Sequence, residues 1–352
     1  MKQKNKLGRF FTEWTWKKGI IVTIISILVI GLGVFLYVAN RVNNTLGDIT
    51  GERQSIFRTA RSLLPGTGNE LANTDGQTNI VVAAMRGKDD PNGGLLADSV
   101  IILSLDKDTS QAAMISIPRD LRVQIPGESP YMKLNATHAV GYERGEGIET
   151  VMAVLEDISG VDMHYGVTVD FEAFTGIIDA LGGVTVNVGQ DFWDPNYEGG
   201  INVTAGPTYM DSETAKRYVW ARMTSNDFDR SRRQREVINA MKDKAMQQGA
   251  LSNPVFLLNV LDSLGDHVTT TMSVDEMKAA LTTLSEMNLN AIIEKGYDTD
   301  PAGPFTSTTD PTLGYIIIPR GGTWAPFQAD IQAIFDTAAE ESEFNTESNT
   351  TL

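Results

Sequence analysis

The sequence predicts an α/β fold: a mostly buried central sheet with helices on both faces, preceded by one transmembrane helix. Three observations predict it. One is an uncharged apolar run near the N-terminus. Another is an alternation of short apolar runs with helical patterns from residue 78 onward. The third is the Asp and Gly punctuation at the ends of those elements.

The apolar run is Ile20–Ala39, IIVTIISILVIGLGVFLYVA. About 20 uncharged residues are what a helix needs to cross roughly 30 Å of hydrocarbon. Lys2, Lys4, Lys6, Arg9, Lys17 and Lys18 precede it against the single acid Glu13. Positive flanks stay inside, so the chain after Asn40 is expected outside the cell. A cleaved signal peptide would show a shorter apolar region and a small-x-small site. The stretch therefore reads as an uncleaved anchor. The expected organisation is a cytoplasmic basic segment over 1–19, an anchor over 20–39 and an extracellular stalk over 40–77. A folded domain over 78–340 and a disordered polar tail over 341–352 complete it.

Within the domain, NIVVAAM (79–85) and VIILSL (100–105) are runs of buried-strand type, and AAMISI (112–117) follows the turn DKDTSQ to close a hairpin. Residues 148–158 read as a helix ended by Gly160, and 164–169 as a strand. A helix over 171–181 begins after the cap Asp170 and stops at Gly182-Gly183, with a strand at 184–188. Helical patterns recur at 212–222, 231–247 and 274–287; a late strand at 315–318 precedes a helix near 326–339.

The net charge is −16 and there are no cysteines. The acidic balance argues against nucleic acid as a partner. The missing thiols exclude disulfides and thiolate zinc sites. His138, His164 and His267 are scattered and fit neither a triad order nor a zinc spacing, so they read as structural.

Against that acidic background the arginines cluster. Ser116-Ile117-Pro118-Arg119-Asp120 sets an arginine just past a strand end, where ligands gather in open α/β sheets. The second group runs from Arg222 to Arg235. The apolar stripe Val237, Met241, Ala245 extends backwards onto Gln234, Arg233 and Arg230, leaving Arg232 and Arg235 nearer solvent. Inward guanidiniums need an anion, and their planar fork suits phosphate. The competing reading pairs them with Asp120, Asp227 and Asp229 as a structural network. Asp98, before the strand at 100–105, and Asp89-Asp90, in the loop GKDDPNGG, are candidate magnesium ligands beside a phosphate, although a lone Asp there also suits a turn.

These segments resemble the LytR-CpsA-Psr family. The resemblance is carried by NIVVAAM, ADSVIILSLD, SIPRD, KLNATHAVGYERG, VDFEAFTGIIDALGGVTV and YVWARMTSNDFDRSRRQREVI, over roughly residues 78–250. It implies an α-β-α sandwich with an apolar cavity for a polyprenyl tail, arginines at its mouth and magnesium bridging a pyrophosphate. It also implies transfer of a glycopolymer from a polyprenyl carrier to peptidoglycan at the outer face of a Gram-positive cell membrane. Under the resemblance, Arg119, Arg222, Arg230 and Gln234 match phosphate-contacting positions. Asp98 matches a position linked to magnesium and catalysis, while Arg233 and Lys133 match commonly basic ones. The chain departs from the family at three places: Arg86 stands where an aspartate is usual, and Leu96 and Trp220 where arginines are usual. Asp89 or Asp90 would have to replace the missing carboxylate. These departures also motivate a reading from another class, a catalytically weakened lipid-phosphate-binding or scaffolding protein.

Overall fold

The computed structural model describes residues 70–335 apart from 92, 197–198, 222, 250–266 and 290. The expected basic segment, anchor and tail, and most of the stalk, lie outside the described residues. Among those residues no helix is long and apolar enough to cross a membrane. The end of the expected stalk is packed rather than extended. Leu71 is buried, and the Tyr165 hydroxyl accepts a hydrogen bond from the Ala72 N–H at 2.9 Å.

Three apolar runs fold into the expected strands, β1 (Gln77–Ala84), β2 (Ser99–Asp106) and β3 (Gln111–Ile117). β2 and β3 form an antiparallel hairpin whose turn is tied by Asp106 Oδ1, which accepts from the Asp108 and Thr109 N–H groups. A short pair follows, β4 (Arg122–Val123) with β5 (Met132–Lys133), then helices α1 (Leu134–Tyr142) and α2 (Gly147–Ser159). Gly160 closes α2 in the left-handed conformation, at φ 71°, which only glycine adopts without strain. Next come β6 (Tyr165–Val169) and α3 (Phe171–Ala180), capped by Asp170 as the sequence predicts.

Beyond them lie β7 (Val184–Val188), β8 (Phe192–Asp194), β9 (Ile201–Val203), β10 (Gly206–Met210), α4 (Ser212–Trp220) and α5 (Asp227–Gln247). The chain then forms β11 (Val268–Thr270), α6 (Val274–Glu286), β12 (Ile293–Gly296), β13 (Phe305–Asp310), β14 (Gly314–Pro319) and α7 (Ala325–Gln332).

Among the described residues the central sheet has six strands in the order β11-β6-β1-β2-β3-β12. It is mixed: β1/β6 and β3/β12 run parallel, and the other pairs antiparallel. Alternate residues of β1 feed two different cores. Val81 and Ala83 pack with Val151, Leu155 and Ile158 of α2 and Phe327 and Ile331 of α7. Ile80 and Val82 pack with Ala279 and Ala280 of α6. Each fully buried aliphatic side chain contributes about 1.5–3 kcal/mol, so both faces stabilise the sheet. A separate core joins α3, α4 and α5 to β7 and the β8/β9 ribbon.

Two expected strands lie outside the central sheet. β7 pairs with β10, and β14 pairs with β13. The strands that complete the sheet, β11 and β12, read VTT and IEKG. They are short and polar, as edge strands often are, and carry no apolar run.

Candidate functional site

The SIPRD turn carries β3 out of the sheet and is held from two sides. The Arg119 carbonyl accepts from the Asn135 N–H at 3.0 Å, and the Asp120 carbonyl from the Ile317 N–H at 2.9 Å. Facing the turn is the start of α5, four residues earlier than the apolar stripe alone predicts. Asn226 caps it, its side chain accepting from the Asp229 N–H at 2.9 Å. Asp227 in that first turn suits the positive end of the helix dipole.

The two segments converge. Arg119 Nη1 donates to Asp98 Oδ1, and Arg119 Nε donates to Asp227 Oδ2 at 2.6 Å. Arg230 Nη2 donates to the Asp98 backbone carbonyl at 2.9 Å and lies 3.4 Å from Asp227 Oδ1. Asp98 and Asp227 therefore bridge guanidiniums that are 111 positions apart in sequence. Burial works against charge on Arg119, but Asp227, Asp98 and Asp120 outweigh it and hold its pKa above the ordinary value. Lys133, the residue before α1, donates to Asp120 Oδ1 at 2.8 Å.

These side chains line a cleft of about 370 Å³, with Asp98, Arg119, Asp120, Lys133, Asp227 and Arg230 on its polar side. Ile117, Pro118, Phe228, Tyr315 and Ile317 form its apolar wall. The network expected as the alternative to an anion site thus exists for Asp120 and Asp227. It is also what a ligand-free phosphate site requires, since buried guanidiniums need counter-charges until a phosphate replaces them.

Several sequence-predicted residues lie elsewhere. Arg233 does not line the cleft. It is fully buried: Nε donates to the Tyr218 carbonyl at 2.8 Å, Nη2 to the Ala221 carbonyl and Nη1 to Ser225 Oγ at 3.2 Å. Its guanidinium stacks 3.9 Å over Phe192, and burial pushes its pKa down to about 10. Arg233 and Arg230 are three residues apart, so they diverge by about 60° around the helix axis. One meets the cleft and the other meets α4. Gln234 is buried and does not line the cleft, and Arg222 lies outside the described residues.

Arg235 corrects a second expectation. It is not turned to solvent: Nη1 donates to Ser116 Oγ at 3.1 Å and Nε lies 3.5 Å from Glu294. β12 runs beside α5, and Gly296 leaves the room, since a Cβ there would sit 2.8 Å from Arg235 Nη1.

The three departures from the family pattern have distinct surroundings. Trp220 is 4% exposed and packs edge-on against Phe171, ring centroids 4.0 Å apart, so an arginine's place is filled by core. Leu96 is half-buried, and its N–H donates to the Gly93 carbonyl at 2.9 Å. Arg86 lies with Nε 3.6 Å from Asp98 Oδ2 and Nη1 3.6 Å from Asp90 Oδ2.

This donor set does not fit a magnesium ion. Beside a phosphate a magnesium ion takes one or two carboxylates, and the carboxylates nearest the cleft are already engaged: Asp90 and Asp98 both face Arg86. Asp89 is exposed on a turn, and both Asp98 oxygens face guanidiniums. At an effective dielectric of 20, a guanidinium about 4 Å from a divalent ion repels it by roughly 8 kcal/mol, twice the value for unit charges.

The histidines have structural surroundings. His138 Nδ1 meets the Leu95 carbonyl at 3.1 Å, and burial lowers its pKa. The Asn79 N–H donates to His164 Nδ1 at 3.1 Å, and His267 Nδ1 lies 2.7 Å from Asp170. The cleft wall supplied by Phe228, Tyr315 and Ile317 is not singled out by the sequence. The strand signal at 315–318 was its only trace.

Known proteins share this architecture. The chain is 29% identical over 274 residues to the polyisoprenyl-teichoic acid–peptidoglycan teichoic acid transferase TagU of Oceanobacillus iheyensis, covering 77% of this chain and 81% of that one. The fold matches a crystal structure of B. subtilis TagV with a TM-score of 0.58 at 23% identity, over 75% of this chain and 99% of that one. It also matches a structure of TagT bound to LI-WTA with a TM-score of 0.56 at 20% identity, over 76% of this chain and 94% of that one. The family model described as LytR_cpsA_psr family spans residues 33–299, which takes in both arms of the cleft and the sheet beneath them. The chain belongs to the LytR-CpsA-Psr family.

Proposed function

We propose that this protein transfers a glycopolymer from a polyprenyl (pyro)phosphate carrier to peptidoglycan or another wall acceptor, releasing polyprenyl phosphate. The observation that carries the reading is the meeting of Arg119 and Arg230 on Asp98 and Asp227 in one cleft. The relatives that match most of the chain are named for such a transfer, with teichoic acid as the polymer. The Ile20–Ala39 run and its basic flank support single-pass anchoring with the domain outside the cell.

In this reading the donor's phosphates displace carboxylates from Arg119 and Arg230, and Lys133 adds a third cation at the rim. An acceptor hydroxyl attacks the phosphorus that carries the glycan. A new P–O bond forms, and the bond from that phosphorus to the bridging oxygen breaks. Polyprenyl phosphate leaves with the electron pair, and the hydroxyl proton passes to Asp98. Such chemistry depends mostly on positioning and on charge stabilisation at the leaving oxygens. The apolar wall of Ile117, Phe228 and Ile317 supports a place for the first part of the lipid chain.

The test is release of polyprenyl phosphate from a lipid-pyrophosphate sugar, followed by chromatography. The wild type is expected to release it. Arg119→Ala is expected to lose about 10²–10³ in turnover, the range for one removed charge-stabilising donor. Unchanged turnover in Arg119→Ala and Arg230→Ala contradicts the assignment. Tight lipid binding without release favours the scaffolding alternative.

A further inference from the structure

We propose that Arg86 is the built-in counter-cation of the cleft, so that transfer proceeds without a divalent metal. This rests on the transferase reading above, and it concerns a residue on which that reading does not depend.

Asp98 is the buried carboxylate at the centre of the constellation, and its two oxygens are divided between two guanidiniums. Arg119 Nη1 takes Oδ1, and Arg86 Nε lies 3.6 Å from Oδ2. Arg86 also reaches Asp90 Oδ2 at 3.6 Å, and its guanidinium carbon lies 5.8 Å from the centroid of the Phe171 ring. It is therefore placed from three directions rather than being a loose surface cation.

The loop after it is closed across its base. Gly87 N–H donates to the Gly94 carbonyl at 3.1 Å, and Gly94 N–H to the Asp90 carbonyl at 3.1 Å. A Cβ at Gly94 would meet the Gly87 carbonyl oxygen at 2.0 Å, so the closure depends on glycine. That closure fixes Arg86 and Asp90 on the side facing Asp98.

A divalent ion in such a site would neutralise phosphate oxygens and take its own ligands from one or two carboxylates. Here the carboxylate it would use already has a cation on each oxygen. The ion would have to displace Arg86 or sit against it. A guanidinium offers several donors in one plane and carries a full positive charge of its own. Arg86 thus supplies the neutralising charge itself and excludes its competitor electrostatically.

The experiment uses the full-length protein in detergent, stripped with EDTA. Mn²⁺ binding is followed by electron paramagnetic resonance, with transfer from a lipid-pyrophosphate sugar measured in parallel. The wild type is expected to leave the free Mn²⁺ signal unchanged, and EDTA is expected to alter its transfer less than about twofold. Arg86→Asp, which removes the cation and adds a carboxylate, is expected to deplete the free Mn²⁺ signal that the wild type leaves unchanged. Its transfer should become EDTA-sensitive and recover with Mg²⁺. Arg86→Gln, which keeps the size without the charge, is expected to lose transfer without gaining a response to metal.

Wild-type Mn²⁺ binding that Asp98→Asn removes would overturn the proposal, as would wild-type transfer abolished by EDTA. A folded Arg86→Asp protein that binds no Mn²⁺ overturns it as well. If no preparation transfers glycan, the transferase reading fails, while the Mn²⁺ measurement still decides the role of Arg86.

Discussion

At the scale of single residues, the same side-chain type does two different jobs on one helix. Arg230 and Arg233 are both almost wholly buried, at 2% and 0% exposed. Arg230 is matched to the carbonyl of Asp98 and to Asp227 in the cleft, whereas Arg233 spends its donors on carbonyls of the chain leading into the helix. Arg233→Met should therefore lower stability, by about 1–3 kcal/mol for each buried carbonyl left without a donor. Transfer per folded molecule should change little. A thermal melt paired with an activity assay separates the two, and an intact melting temperature with lost activity would place Arg233 in the chemistry instead. His138 gives a pH prediction. Burial lowers its pKa below the ordinary 6.5, and His164 shifts in the same direction for the same reason. Above that value both histidines are neutral, folded or unfolded. Below it the unfolded chain binds protons that the folded chain resists, so stability falls on acidification until the lowered folded values are reached. His138→Gln should flatten the decline of melting temperature below about pH 6.5, and an unchanged slope would remove His138 from the account.

At the scale of elements, legibility in the sequence followed the physics of each segment. β1, β2 and β3 bury side chains on both faces, so they appear as unbroken apolar runs. α3 announces itself through Asp170 and the Gly182-Gly183 stop. By contrast β11 and β12 are edge strands of three and four residues, held by backbone pairing that leaves no mark on composition. The arginine site was legible because an apolar stripe can be extended along a helix. The stripe correctly turns Arg230, Arg233 and Gln234 inward. It misplaces Arg235, because a helix of 21 residues touches α4, the cleft and β12 on different sides and one inward direction does not say which of them a side chain meets. The loop between Arg86 and Asp98 was legible as Gly-rich but not as a device for aiming Arg86. Gly94→Ala tests that: its Cβ would collide with the Gly87 carbonyl, so the loop must open. The expected cost is about 1–3 kcal/mol of stability, with transfer reduced alongside, as read by melting and turnover. A variant with wild-type values in both would show that the closure does not matter.

At the scale of the whole molecule, the central sheet serves as a frame that delivers two remote segments to one place. β3 ends at the SIPRD turn, α5 begins opposite it, and β14 braces the turn through Ile317. Among the described residues, the cleft cations Arg119, Arg230 and Lys133 each already have an anionic partner. An incoming phosphate therefore competes with carboxylates of the protein, and binding is an exchange of partners rather than the filling of a bare positive hole. Among the solved structures that share the fold is TagT bound to LI-WTA. The corresponding measurement on this chain is a crystal structure with a polyprenyl-pyrophosphate sugar. The account predicts phosphate oxygens within hydrogen-bond reach of both Arg119 and Arg230, with Asp227 released from Arg119. Phosphates bound elsewhere, with the Arg119–Asp227–Arg230 bridge intact, would contradict it.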